Sequence, residues 1–500
     1  MLKIKLGNVQ VISNFTDEQL EKIKEDLTLD NPKYKQAKKF SKWNNTKIPK
    51  YLYFYHYDTK TQSIIAPIGY KPPFNFEIVE DYREEVNVSY PPIRVKLRDT
   101  QVDAFNSYLD DPSKGLICMP TGKGKSILGI YLAYRLKQKA LVIVHKDDLV
   151  VGWKKDIEFC FDNKVVPKLI KAKKREIGDQ ITIATVQTLN RLSEEELEKI
   201  ASNFGMVIID ECHHCPSSTY GVIEAFSSPY KIGLSATPER KDGLTPIMNF
   251  YLGDFAFKFE YIKEDKDILP VEIIRKDSPV VYEPTVSEKL SSSGNPVYYL
   301  DPHGDIKISS IPINKRPRVM FSHLDDLVVK DPQYTKMYIK DIKHEYEEGH
   351  SILVLVRLKD HCRYIKEQLE KYIPSEDIQL YYGDSKEPRA TLMKRAEDKR
   401  QLITIATLSV ATEGTNVKQW EVEFLISSIN DGKNVEQAIG RIRRTTNKPK
   451  LKKVRVYDYR QCNVYSMASH SFTRDSRYRK LKLDNPNAKR PLFSRGYRKN

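Results

Sequence analysis

"ICMPTGKGKS", residues Ile117 to Ser126, runs from a short apolar stretch into a glycine-rich turn that ends in lysine and serine. Such a stretch is either a phosphate cradle at the end of a strand or a flexible basic turn, and the choice decides the fold. The pattern G-x-x-x-x-G-K-[ST] asks for glycine at position 119, where this chain has Met119. Gly122 and Gly124 nevertheless permit the tight backbone that turns successive N–H groups toward phosphate oxygens, with Thr121 and Lys123 in the same loop. Lys125 offers a cation and Ser126 a magnesium ligand.

The surrounding sequence has the texture of an α/β protein. "GLICM", "ALVIV", "ITIAT", "MVIID" and "KIGLS" are continuous apolar runs separated by helix-length segments, which predicts buried strands of a parallel sheet. "SILVLV", "IQLYY", "LITIAT", "EFLIS" and "VRVYDY" repeat the pattern after a break and predict a second α/β domain in tandem. The polar stretch Ser291 to Asp305 lies in the connection between them. Ahead of the first set, a helix-like "TDEQLEKIKEDL" and an aromatic "YLYFYHY" suggest a small α+β domain, and "SYPPIRVKL" reads as an extended linker. The expected organisation is a small N-terminal α+β domain over 1–90, a first α/β domain over 91–260, a connecting segment over 261–315, a second α/β domain over 316–465 and a basic tail over 466–500. That tail, rich in arginine and lysine from Arg474 onward, either tracks phosphates or is solvated and disordered.

Composition narrows the partners. The excess of 83 Lys+Arg over 67 Asp+Glu, a net charge of +16, favours an anionic polymer. The sequence holds no apolar run of membrane-spanning length, and its start lacks an apolar signal core, so an intracellular, cytoplasmic protein with no membrane partner is expected. Six cysteines in 500 residues do not make a disulfide framework, which fits a reducing compartment.

"DECHH" follows the run "GMVIID" and places Asp210 and Glu211 at the carboxyl end of a strand, where ligands bind in open α/β sheets. An Asp there can hold Mg²⁺ through water opposite Ser126, and the adjacent Glu can orient or deprotonate an attacking water. Cys212, His213, His214 and Cys215 suggest zinc, but four consecutive ligands do not wrap a tetrahedron and no second pair stands at the usual spacing. Arg441 and Arg444 sit at i and i+3 of a helical segment, so both face one way, and the guanidinium fork matches phosphate oxygens.

Taken motif by motif, residues 98–458 resemble the superfamily 2 DExH helicases and translocases. "LRDTQ" is similar to the family's adenine-reading segment, which implies nucleotide contacts from Arg98 and Gln101, with Thr100 where an aromatic is common. "MPTGKGKS" is the superfamily's form of the phosphate loop, which needs no glycine at 119. In "DECHH" the resemblance assigns His213 to coupling, together with Ser235 and Thr237 of "LSATPERKDGL". "VIVHKDDLVVGW" and "IATVQTL" resemble nucleic-acid track segments, pointing to Lys146, Thr185 and Gln187, and "LVLVRLKDHC" and "IATLSVATEGTNV" point to Arg357 and Thr407. Gly414, Thr415 and Asn416 would stand at the cleft, and "VEQAIGRIRR" matches Q-x-x-G-R-x-x-R through Gln437, Gly440, Arg441 and Arg444.

The resemblance implies two tandem RecA-like parallel-sheet domains, use of ATP and Mg²⁺, and movement along nucleic acid as an interdomain cleft closes. The motif set is most similar to the XPB-like and UvsW-like branch, which implies branched or duplex DNA as substrate and a monomer as the working form. The N-terminal stretch looks like the UvsW amino-terminal domain, so Lys38, Lys39, Lys42 and Lys47 would grip duplex arms and Trp43 would stack or sit in a core. A DExH RNA helicase and a duplex translocase that does not separate strands fit the same motor residues.

Overall fold

The computed structural model describes the chain apart from residues 41–47, 121, 172–173, 215–216, 238, 241, 261–268, 291–295, 318, 384–386, 400, 412–416, 418, 431, 444–452, 482 and 484–500. It divides into two compact units, Met1–Glu260 and Tyr261–Asn500. Among the described residues no helix is long and apolar enough to cross a membrane.

The first unit opens with a five-stranded sheet in the order His56–Asp58, Ser63–Pro67, Val9–Ser13, Leu2–Leu6, Phe76–Asp81. Strands Leu2–Leu6 and Val9–Ser13 alternate buried and more exposed positions, as a half-buried sheet requires. Helix Asp17–Asp26 covers it through Leu20 and Ile23 and starts in a capping box between Thr16 and Gln19. This small α+β body packs onto helix Pro246–Leu252: Gly69 N donates to Phe250 O at 2.8 Å, and the Phe54 and Phe250 rings lie 5.4 Å apart. A Cβ on Gly69 would come within 2.2 Å of Gly253 N, so the approach requires glycine. "SYPPIRVKL" is extended as expected, yet it is tied down rather than free. Tyr90 stacks on Phe161 at 5.5 Å, and its hydroxyl donates to Gln138 O at 2.7 Å.

Every apolar run of the first set forms a strand. The resulting eight-stranded sheet has the order Lys174–Arg175, Lys168–Lys171, Ile181–Thr185, Ala140–Val144, Met206–Asp210, Tyr230–Ser235, Leu116–Cys118, Phe255–Lys258. All neighbours are parallel except the first pair. Parallel pairing brings the carboxyl ends of Leu116–Cys118, Tyr230–Ser235 and Met206–Asp210 to one rim of the sheet, with the phosphate-loop stretch, "SAT" and "DECHH" following them.

The second unit holds a six-stranded parallel sheet, ordered Val271–Asp277, Val454–Arg460, Val422–Leu425, Ile352–Val356, Ile403–Thr407, Ile378–Tyr381. Its first strand comes from the span read as a connecting segment. The same span builds a small antiparallel sheet centred on Thr285–Leu290, with Pro296–Leu300 and Ile306–Lys307 beside it. The beginning of the expected basic tail is also structural. Ala468–Lys480 is a helix in which Arg474 is fully buried, and the guanidinium is 2.9 Å from Asp458 and donates to Ile429 O at 2.9 Å. An internal carboxylate and two carbonyls satisfy this arginine, so it does not track phosphates.

Candidate active site

The loop after Leu116–Cys118 explains the mismatch at position 119. Met119 is fully buried and its N–H donates to Ser235 O at 2.9 Å, so this residue belongs to the core and not to the turn. The turn comes later. Gly122 and Gly124 take φ values of 91° and 74°, and Gly124 caps helix Lys125–Leu136. The Gln101 amide donates to Gly124 O at 2.9 Å and accepts from Arg98 N at 2.9 Å, while the Arg98 guanidinium reaches Gly122 O at 3.5 Å. A Cβ at 124 would lie 2.5 Å from the Gln101 amide nitrogen. Gln101, the residue expected to read adenine, thus bonds directly to the phosphate loop.

Lys125 starts the helix, donates from Nζ to Met119 O at 3.1 Å, and stands 3.7 Å from Glu211 Oε1. Glu211 has a left-handed backbone, φ 47°, uncommon for a non-glycine residue and a conformation found at functional sites. Its other oxygen accepts from Ala236 N at 3.3 Å and lies 3.5 Å from His213 Nδ1. A cation from the loop, an amide from "SAT" and the His213 imidazole therefore converge on the one carboxyl group that follows the strand end.

The two magnesium candidates are held by one helix that the sequence reading did not assign to them. On Asp147–Cys160, Trp153 Nε1 donates to Asp210 Oδ2 at 2.8 Å, and Asp156 Oδ2 accepts from Ser126 Oγ at 2.5 Å. Trp153 and Asp156 are i and i+3 and so share a helix face. Burial, and after it the Glu211 carboxylate, push the Asp210 carboxyl above the ordinary range. A hydroxyl that gives its proton to Asp156 keeps its lone pairs free, and a buried carboxylate beside another carboxylate favours a cation. This hard-oxygen pair fits Mg²⁺.

His213 is buried, with Nδ1 2.8 Å from Ser235 Oγ, and Ser235 also bonds to the Thr237 backbone, accepting from Thr237 N at 3.1 Å. The structure thus joins the three coupling candidates in one chain. Cys212 points into the core, its Sγ 3.8 Å from Met248 Sδ, away from any shared site with His213. Among the described residues no group of three or more His, Cys, Asp or Glu side chains could hold a metal ion.

Lys123 is fully buried, its amine 5.1 Å from the centre of the Phe259 ring, and so it is not presented in the open cradle.

Of the track candidates, Gln187 donates to His145 O at 2.8 Å and Thr185 pairs with Thr188 at 2.8 Å, while Lys146 stands exposed at the start of helix Asp147–Cys160. These three stand at the carboxyl ends of the neighbouring strands Ala140–Val144 and Ile181–Thr185. In the second unit, Arg357 and Thr407 likewise end the paired strands Ile352–Val356 and Ile403–Thr407, the Arg357 guanidinium lying 4.3 Å from the Phe321 ring centre. Gln437 is buried and Arg441 half-buried on helix Gly432–Ile442. Thr121, Gly414, Thr415, Asn416, Arg444, Lys42, Trp43 and Lys47 lie outside the described residues.

Comparison with known proteins places this geometry in context. Residues 94–240 match the family described as type III restriction enzyme, res subunit, and residues 335–446 match the helicase conserved C-terminal domain. The DNA 3'-5' translocase XPB2 of Sulfurisphaera tokodaii is 25% identical over 374 residues, 72% of this chain and 81% of that protein. "Probable helicase D10" of Escherichia phage T5 is 26% identical over 377 residues, 74% of this chain and 72% of its own. Among solved structures, S. cerevisiae Dbp5 bound to RNA and ADP BeF3 aligns with a TM-score of 0.50 and 12% identity, over 78% of this chain and 89% of its own. T4 UvsW aligns over 96% of this chain and 97% of its own, with 15% identity and a TM-score of 0.39.

Proposed function

Because the chain belongs to superfamily 2 of the ATP-dependent helicases and translocases, we propose that it is a DNA motor that remodels branched DNA such as forks and four-way junctions. The observation that carries this reading is the convergence of Lys125, Ala236 N and His213 on Glu211, with His213 in turn bonded to Ser235. A nucleotide binder that only clamps needs a phosphate cradle. It does not need a strained carboxylate wired through histidine to the next strand.

The roles follow from the chemistry of each group. Lys125 and the N–H groups of the glycine turn hold the β- and γ-phosphates, and Gln101 is poised to exchange its bond to Gly124 for the adenine edge. Ser126 and Asp210 would hold Mg²⁺, which when bound neutralises developing phosphate charge. Glu211 orients the attacking water. His213 and Ser235 pass the state of Glu211 to the "SAT" segment, and Lys146, Thr185, Gln187, Arg357 and Thr407 contact the backbone of the tracked strand. Gln437, Arg441 and Arg444 are assigned to the hydrolytic step, so Arg444→Ala should bind ATP and fail to turn it over. Lys42 and Trp43 are assigned to duplex arms. The positive charge of the chain suits either nucleic acid, and the relative named as a DNA translocase favours DNA as the working substrate.

The test is to incubate the protein and Lys125→Ala with ATP and labelled four-way junctions, forks, plain DNA duplexes and RNA duplexes. ATP-dependent processing of junctions and forks by the wild type alone supports the proposal. Preference for RNA duplexes, or ATP hydrolysis with no strand movement, would replace it with an RNA helicase or a simple translocase.

A further inference from the structure

Lys123 lies between the two positive-φ glycines of the phosphate loop, in the position where a second phosphate-binding cation would be expected. Its amine is buried and lies over the face of the Phe259 ring, 5.1 Å from the ring centre, a cation–π contact. Phe259 is itself anchored to the base of the same loop. It follows strand Phe255–Lys258, the parallel neighbour of Leu116–Cys118, and its N–H donates to Cys118 O at 2.8 Å. Phe259 therefore meets the loop twice, by its backbone at Cys118 before the turn and by its ring at the Lys123 amine within it. Glu260, the next residue, closes the first unit.

We propose that Lys123 is a positioning residue that acts through Phe259, so that the shape of the phosphate loop and the exit strand of the first unit are set together. The proposal rests on the ATP-motor reading above. Entry of phosphates shifts the loop, the loop carries the amine, and the amine moves the ring at the chain's way out of the unit. Direct phosphate binding by Lys123 would require the amine to leave its buried place, and the ring would then matter little.

Steady-state ATP hydrolysis with and without duplex DNA separates the two. Lys123→Met keeps the aliphatic stem and removes the charge, and Phe259→Leu removes the ring. Each should lower DNA-stimulated kcat about fivefold or more while KM for ATP moves less than about twofold, and the double variant should be no worse than either single one. Lys123→Arg should restore most of the rate. Additive losses, or a KM raised about tenfold by Lys123→Met with Phe259→Leu unaffected, would overturn the proposal in favour of direct phosphate contact. If Lys123→Met does not fold, the Phe259 series decides, because kcat must follow ring character from Trp through Tyr to Leu, and equal rates in Trp and Leu overturn it. A wild type that hydrolyses no ATP overturns the motor reading itself, which distinguishes that failure from failure of the inference.

Discussion

Trp153 donates from its indole Nε1 to Asp210 Oδ2 at 2.8 Å, and from the same helix face Asp156 accepts the Ser126 hydroxyl. The helix thus orients the two oxygen groups assigned to Mg²⁺. Trp153→Phe keeps the packing and leaves a buried carboxylate one donor short, at a cost of about 1–3 kcal/mol in stability. The Mg²⁺ concentration for half-maximal ATP hydrolysis should rise severalfold. Urea unfolding and a magnesium titration check the two effects separately.

Ser235→Ala breaks the bond to His213 Nδ1 while leaving Lys125 and Glu211 in place. DNA stimulation of ATP hydrolysis should fall by about tenfold or more, with the unstimulated rate little changed. Paired rate measurements with and without DNA decide it. Equal loss in both would make the bond part of the chemistry and not of the coupling.

Glu423 lies on the buried strand Val422–Leu425 opposite Leu353 and Val456, and neither carboxylate oxygen has a hydrogen-bond partner among the described residues. Burial holds its carboxyl well above the ordinary range. The sign follows from linkage. The folded state keeps this proton after the unfolded state has lost it, so the stability it confers is full below the unfolded pKa and is lost as pH rises toward the folded one. Each unit of that difference is worth about 1.4 kcal/mol. Glu423→Met should raise the urea midpoint, and the gain should widen between pH 5 and pH 8. A constant gain would place the effect in packing alone.

Arg474→Ala should destabilise the second unit by about 3–5 kcal/mol, because it strands the Asp458 carboxylate inside the protein. A solvated tail arginine would cost less than about 0.5 kcal/mol. Thermal melting of the full chain distinguishes the two.

The strands were legible because parallel sheets bury both faces and so leave continuous apolar runs such as "ALVIV" and "MVIID". Lys125, Asp210 and Glu211 were legible because loop and strand end announce themselves locally. Trp153 and Asp156 were not, since their partners are Asp210 and Ser126, brought near only by the order of strands in the sheet. A signal was present in "VVGWKKD", where Trp and Asp stand at i and i+3, but helical spacing alone does not say what a face meets. Arg474 reads as a phosphate-tracking or solvated tail residue because a basic residue in a basic chain looks solvated until a carboxylate is found inside to receive it.

The central claim, that this site hydrolyses ATP to drive movement on DNA, is tested most directly by ATP turnover on four-way junctions, wild type against Lys125→Ala. DNA-stimulated hydrolysis by the wild type and none above background for Lys125→Ala is the expected result. Turnover by Lys125→Ala at the wild-type rate would contradict it.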